Sequence, residues 1–174
     1  MNHQPTQAEY NEHFHGYVKL VPQGDIRETL SRSLTSTLGT LSPLTEAQAG
    51  LRYAPDKWSI KEVLGHITDN ERIMAYRLLR IARGDRTPLS GYDQDVLVPG
   101  ANFDECPFGL LLEDYTLVRK STLTLLQSLS EEAWSRSGIV NGNESTARAW
   151  AYIIAGHEIH HMNVLAERYL AAIR

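Results

Sequence analysis

The spacing of apolar residues is the feature that most limits what this chain can fold into. In four long stretches these residues recur every three or four positions, which is typical of one buried face of an α-helix. No run alternates apolar and polar residues over the length of a strand. The pattern predicts helices over about 25–39, 59–83, 110–129 and 145–171. Four such helices predict an all-α four-helix bundle.

The stretches without apolar periodicity mark the predicted arm, loop and turn of the chain. Residues 1–24 show no clear period and are predicted to form a solvated or loosely packed N-terminal arm. Residues 25–174 are predicted to form one domain, as expected for a chain of 174 residues. Residues 84–107 are predicted to form a long loop between the second and third helices, and such loops are usually functional or disordered. Residues 141–143 are a turn signal, after which Ser145 is predicted to cap the fourth helix.

Composition excludes several classes of function. The net charge of −4 offers no basic footprint for nucleic acid. No window approaches the ~18 uninterrupted apolar residues of a membrane span, and the N-terminus lacks the basic and apolar segments of a secretory signal. The single cysteine, Cys106, excludes an intrachain disulfide and fits a reducing compartment. We therefore expect a cytoplasmic protein that binds neither nucleic acid nor membrane.

Three of the seven histidines fall within five residues of the predicted fourth helix. His157 and His161 are one helical turn apart and face the same way, within the stripe that should face the core. His160 is rotated by roughly 60–100° from them, toward the edge of that stripe. The pair can be core histidines joined by hydrogen bonds. It can also provide two ligands of one metal ion, because neutral imidazoles a turn apart can bind a single cation.

A metal site needs a third ligand, and His66 is the histidine that lies outside both the arm and the fourth helix. It lies at the margin of the apolar stripe of the second helix. A lone histidine there is more often structural, but a facing helix that already presents two histidines favours a shared ion. Three histidines leave one tetrahedral position open, as in catalytic sites. Pocket residues are expected to be Trp58, Tyr92 and Trp150.

Residues 157–161 also match His-Glu-x-x-His, the helix motif in which a metallopeptidase uses its glutamate, here Glu158, as general base. Only 13 residues follow His161, too few for the downstream glutamate helix of such peptidases. The extended motif needs glycine and histidine where Val164 and Glu167 stand. A peptidase is therefore disfavoured.

Several segments together carry a resemblance to a known family. The strongest is YAPDKWSIKEVLGH at residues 53–66. The others are residues 17–25, Glu71-Arg72, Arg83-Gly84-Asp85, Tyr92-Asp93, Ala101-Asn102-Phe103 and 151–161. Over roughly residues 17–170 the chain resembles the DinB/YfiT-like superfamily of metal-binding four-helix bundles.

This resemblance implies a divalent ion, commonly zinc or nickel, bound by His66, His157 and His161, and it implies a homodimer. Relatives include thiol S-transferases that act with bacillithiol, mycothiol or glutathione, and proteins described as metal-dependent hydrolases. We expect a metal-dependent enzyme, first a thiol S-transferase with a small-molecule thiol and next a hydrolase that uses a metal-activated water. The alternative is a non-catalytic, stress-related metal-binding bundle.

No catalytic residue beyond the three ligands is assigned. A metal-bound histidine usually donates a hydrogen bond from its other ring nitrogen, which fixes the orientation of the ring. The candidates for such partners are Glu62, Asn70, Glu158 and His160.

Overall fold

The computed structural model describes residues 3–173. The helices within this range are α1 (His15–Leu20), α2 (Ile26–Leu41), α3 (Glu46–Ala49), α4 (Ile60–Ala82), α5 (Gln94–Ala101), α6 (Phe108–Gln127), α7 (Glu131–Ser135), α8 (Ala147–Val164) and α9 (Ala171–Ile173). A π-helix, Leu165–Leu170, continues α8, and short 3-10 turns cover Gln7–Glu9, Glu12–Phe14 and Phe103–Glu105. Strands β1 (Ser137–Val140) and β2 (Asn143–Thr146) pair antiparallel before α8.

The four long helices α2, α4, α6 and α8 form the predicted four-helix bundle. Helix α2 packs on α6 and α8, and α4 packs on the same two helices. Helices α2 and α4 therefore face each other across a diagonal of the bundle. In the part of the chain that the structure describes, no helix has the length and apolar character needed to cross a bilayer.

Capping residues explain where the long helices begin and end. The Asp25 side chain accepts from Arg27 N at 2.8 Å at the start of α2. At the start of α4, Ser59 Oγ accepts from Glu62 N, and Glu62 Oε2 accepts from Ser59 N. This is the reciprocal arrangement of a capping box. Gly84, with φ of +83°, follows the end of α4, as expected for a left-handed helix terminator.

The start of the fourth helix differs from the prediction. Thr146, not Ser145, is the N-cap of α8, and its side chain accepts from Ala149 N at 3.2 Å. Ser145 lies in β2, where its Oγ accepts a hydrogen bond from Trp150 Nε1 at 2.9 Å. Ser145 and Thr146 are consecutive hydroxyl residues of β2, so the sequence did not distinguish them as caps. The Ser145 hydroxyl is taken by Trp150 Nε1, and the Thr146 hydroxyl caps the helix.

The expectation of a loosely packed N-terminal arm is wrong. Tyr10, Val18 and Val21 are buried in the core, and α1 packs on α8. The approach is so close that a Cβ built on Gly156 would lie 2.0 Å from the Tyr17 carbonyl oxygen. Because these contacts involve few apolar residues on short helical turns, they leave no periodic signal in the sequence.

The predicted long loop packs against the hairpin formed by β1 and β2. Asn141 and Gly142 both have positive φ, 49° and 76°, which defines the turn type that favours tight hairpins. Leu89 pairs with this hairpin, since Leu89 N donates to Ile139 O and Asn141 N donates to Leu89 O. The loop also contains α5, which the sequence did not predict. The strands escaped prediction because each is four residues long.

A polar layer crosses the bundle between two apolar clusters. One cluster includes Leu30, Leu78 and Ile153, and the other includes Leu41, Ile60 and Leu165. The buried polar side chains between them are those of Thr37, His66, Asn70, Glu71, Arg119, His157 and Glu158. Because buried polar groups are expensive unless paired, this layer is where a function is expected.

Candidate metal centre

The structure brings the three predicted ligand histidines together. His66 Nε2 lies 3.0 Å from His157 Nε2, and His161 Nε2 lies 3.1 Å from the same atom. One ring nitrogen from each histidine lies within 4.8 Å of the others. His66 and His157 are only 3% and 4% exposed. We call these three residues the histidine cluster.

Helix packing explains this convergence. His157 and His161 share a face of α8, one turn apart, and α8 packs directly on α4, which carries His66. Aromatic rings enclose the cluster. The centroid of Trp58 is 4.8 Å from that of His66, and the centroid of Tyr17 is 5.4 Å from that of His157. Tyr17 was not predicted as a site residue, because it lies in a segment without apolar periodicity.

The electrostatics of the cluster keep its imidazoles neutral. Burial lowers the pKa of His66 to about 4 and that of His161 to about 3. Burial, and then the neighbouring histidines, hold the pKa of His157 well below its usual value. At neutral pH each ring therefore offers an unprotonated nitrogen, which is the form of imidazole that binds zinc, nickel and related ions.

The donor set of the cluster fits such an ion. Each neutral imidazole carries one N–H, so His157 Nε2 can donate to only one of its two nitrogen neighbours. Hydrogen bonds therefore cannot use all three lone pairs, whereas a shared cation can. No aspartate, glutamate or cysteine of residues 3–173 belongs to this ligand group. A set of three histidines leaves a coordination position for water or substrate.

Three of the predicted ligand-orienting residues have other partners. Glu62 Oε2 accepts from Ser59 N at 2.8 Å and from Arg52 Nη1 at 2.5 Å, so this carboxylate serves the helix cap. Asn70 Nδ2 donates to the Tyr92 hydroxyl oxygen. His160 makes edge contacts with Tyr17 and His161. Within the described residues none of the three forms a hydrogen bond to a ligand histidine, which contradicts that expectation.

Glu158 is also not an orienting residue of the histidine cluster. Its Oε2 lies 2.7 Å from Arg119 Nη2, and its Oε1 accepts from Thr37 Oγ1 at 2.8 Å and from the Tyr115 hydroxyl. Because successive residues of a helix point about 100° apart, Glu158 faces α6 while His157 faces α4. A general-base role for Glu158 at the histidine cluster is therefore incompatible with the structure.

A cavity of about 460 Å³ lies beside the cluster, between the N-terminal residues 11–17, α4, α8, the hairpin and the loop after α4. His157 is the cluster residue that lines it. The predicted pocket residues Tyr92 and Trp150 line the cavity as well, together with Tyr17, Asn70 and Arg77. Trp58 is not among the lining residues and packs against His66 instead.

Fold and site together define a four-helix bundle with a cluster of three histidines, two of them buried, beside a cavity. The sequence profile of the DinB superfamily matches residues 29–165, so the chain belongs to the DinB superfamily. The resemblance read from the sequence is thereby confirmed.

Two further comparisons agree with this assignment. A protein of Oceanobacillus iheyensis, whose name assigns it provisionally to the metal-dependent hydrolases, is 28% identical over 146 residues, which cover 79% of this chain and 82% of that protein. YfiT from Bacillus subtilis, described as a probable metal-dependent hydrolase with an unusual four-helix bundle topology, superposes with a TM-score of 0.73. The alignment covers 98% of this chain and 94% of YfiT at 15% identity, so this second similarity establishes the fold alone.

Proposed function

We propose that this protein is a metal-dependent hydrolase whose divalent ion is bound by His66, His157 and His161. The observation that carries the proposal is the convergence of three imidazoles, in which the Nε2 atoms of His66 and His161 lie 3.0 and 3.1 Å from His157 Nε2. The descriptions of the Oceanobacillus iheyensis protein and of YfiT support the hydrolase class.

The chain's own residues divide the work as follows. The three imidazoles would hold the ion, and the rings of Trp58 and Tyr17 pack against His66 and His157. When bound, such an ion supplies Lewis acidity, which lowers the pKa of a water or thiol that reaches it. Burial raises the pKa of Tyr17, so its hydroxyl stays protonated and can donate a hydrogen bond to a substrate in the cavity it lines.

A thiol S-transferase is the second candidate function. The lining of the cavity contains no cysteine among the residues described. The attacking thiol would therefore come from a small-molecule cosubstrate. In this reaction the thiol would lose its proton, its sulfur would displace a leaving group from an electrophile in the same cavity, and the three imidazoles would keep the same role.

We also propose zinc or nickel as the ion and a homodimer as the assembly. Zinc and nickel accept imidazole ligands readily. Leu110 and Leu117, seven positions apart on α6, are 54% and 58% exposed. They share a helix face and provide apolar surface for a second copy. Elemental analysis and light scattering of the purified protein test the two points.

The decisive experiment measures metal content and turnover together. The protein is stripped, reloaded separately with zinc or nickel, and assayed against 4-nitrophenyl esters and anilides. It is also assayed with chlorodinitrobenzene or monochlorobimane and a panel of thiols. His66→Ala and His161→Ala are compared with His13→Ala, which changes an exposed histidine that lines the same cavity but does not belong to the cluster.

We expect the wild-type protein and His13→Ala to bind the ion, and the two cluster variants to remain folded but lose most of it. Metal-dependent ester or anilide hydrolysis supports the hydrolase, and thiol-dependent turnover alone favours the transferase. Stoichiometric metal without either activity points to the non-catalytic bundle. Unchanged metal content in His66→Ala would refute the proposed site.

A further inference from the structure

Arg77 is a buried cation in the wall of the cavity. It is 5% exposed, and its hydrogen bond within the described residues runs from Nη2 to the Ser90 carbonyl oxygen at 2.9 Å. Its guanidinium carbon lies 5.2 Å from the ring centroid of Tyr92 and 5.0 Å from that of Trp150. Over residues 3–173 no carboxylate forms an ion pair with it.

An arginine in this state is prepared to bind an anion. Burial lowers the pKa of Arg77, yet a guanidinium remains charged at neutral pH because its ordinary pKa is so high. A buried charge without a partner is costly unless something else neutralises it. Aromatic rings contact the π-face of a guanidinium and leave its in-plane N–H donors free, and these donors match the two oxygens of a carboxylate.

Asn70 provides a second, independent observation in the same cavity. Its Oδ1 is buried and has no hydrogen-bond partner, while its Nδ2 donates to the Tyr92 hydroxyl oxygen. Buried acceptors of this kind are rare in proteins, because leaving one unpaired costs about 1–3 kcal/mol. An N–H or O–H group of a ligand in the cavity would satisfy it.

The order of these groups along α4 sets the shape of the ligand. His66, Asn70 and Arg77 are separated by four and seven positions, so their backbones lie about 6 Å and about 10 Å apart along the axis. His66 contacts His157, which lines the cavity at the histidine end. Along the axis of α4 the order is thus metal-ligand histidines, a hydrogen-bond acceptor and a cation.

We infer that the cavity binds a small organic acid, with its carboxylate on Arg77, an N–H or O–H donor on Asn70 Oδ1, and its far end toward His157. Asp93 and Asp95 also line the cavity but are exposed, and Asp93 Oδ1 caps α5 by accepting from Asp95 N at 2.9 Å. These rim carboxylates disfavour ligands with several negative charges. As a substrate class the inference rests on the proposed hydrolase, whereas the binding event does not require the reaction.

Hippurate, an N-acylated glycine, has the required groups and serves as the probe. Two close analogues test one contact each. Hippuramide replaces the carboxylate with a neutral amide, and O-benzoylglycolate replaces the N–H donor with an ester oxygen. Binding to the full-length wild-type protein is measured by calorimetry, with and without zinc. We expect hippuramide to bind ~10–100-fold more weakly than hippurate, and O-benzoylglycolate ~2–10-fold more weakly.

The variants separate the charge of Arg77 from its geometry. Arg77→Gln should remove the preference for hippurate over hippuramide, and Arg77→Lys should keep part of it because it retains the charge without the planar fork. Arg32→Gln, an exposed arginine on α2, is the matched control and should bind as the wild type does. Melting curves establish that each variant is folded before its affinity is compared.

Equal affinity of the wild-type protein for hippurate and hippuramide, or no binding of hippurate at millimolar concentration, would overturn the inference. This comparison needs no variant, so misfolding of Arg77→Gln does not leave the question open. Hippurate binding that depends on Arg77, in a protein without hydrolytic activity, would defeat the proposed function and keep the inference. Hydrolysis of the esters or anilides without any preference for acids would overturn the inference and keep the proposed function.

Discussion

Two buried polar regions lie side by side in this bundle and are built in opposite ways. The histidine cluster joins three groups of the same kind across α4 and α8. The ionic cluster, which we define as Glu71, Arg119 and Glu158, joins α4, α6 and α8 with opposite charges. His157 and Glu158 are consecutive on α8, so a single step along one helix separates the two regions.

The two regions differ in how far their polar groups find partners within the protein. Arg119 donates to Glu71 from Nε at 2.9 Å and from Nη2 at 2.7 Å, and to the Leu30 carbonyl oxygen from Nη1 at 3.1 Å. Glu158 Oε2 has its 2.7 Å ion pair with Arg119 but no hydrogen bond of good geometry. Burial alone would lower the pKa of Arg119, and the charges of Glu71 and Glu158 raise it instead. The ionic cluster therefore contains its own opposite charges, whereas the histidine cluster needs an external cation.

The largest expected effect comes from breaking the ionic cluster. Arg119→Met leaves two buried carboxylates without their cation, so we expect a loss of about 3–5 kcal/mol in the free energy of unfolding. Urea denaturation measures the loss, and Arg32→Gln is the exposed control. A change below about 1 kcal/mol would show that the ionic cluster does not hold the helices together.

Removing the metal should affect only the histidine cluster. If free zinc is kept at about 100 times its dissociation constant, the bound ion stabilises the native state by about 2.7 kcal/mol. A chelator should therefore lower the melting temperature of the wild-type protein and of His13→Ala. The melting temperature of His66→Ala should not respond. Identical melting of the wild-type protein with and without chelator would remove the distinction between the two regions.

The smallest expected effect is that of Glu158→Gln, which tests whether Glu158 and its neighbour His157 have separate roles. Glu158→Gln keeps the size of the side chain but removes the ion pair with Arg119, so we expect a loss of about 1–3 kcal/mol in the free energy of unfolding. Metal content, and turnover per bound ion, should stay at the wild-type level. Loss of activity in a variant with unchanged stability would instead place Glu158 in the reaction.

The long helices and the ligand histidines could be predicted because their signals are local. Apolar periodicity and capping residues such as Asp25 and Ser59 mark the ends of α2 and α4 to within about two residues, the usual uncertainty of helix boundaries. The spacing of His157 and His161 follows from the helical repeat alone. By contrast, the two short strands and α1 depend on contacts with distant residues such as Leu89 and Gly156, which no local pattern encodes.

By itself the sequence determined which side chains share a face of each helix, and so it placed His157 with His161 and left His66 as their candidate partner. Only the tertiary structure decided which faces meet. It turned Glu158 toward Arg119, packed Tyr17 against His157 and set Arg77 between aromatic rings at the cavity. The physical reason is that a helical repeat fixes directions around one axis, whereas the pairing of axes depends on how buried surfaces and charges match across the bundle.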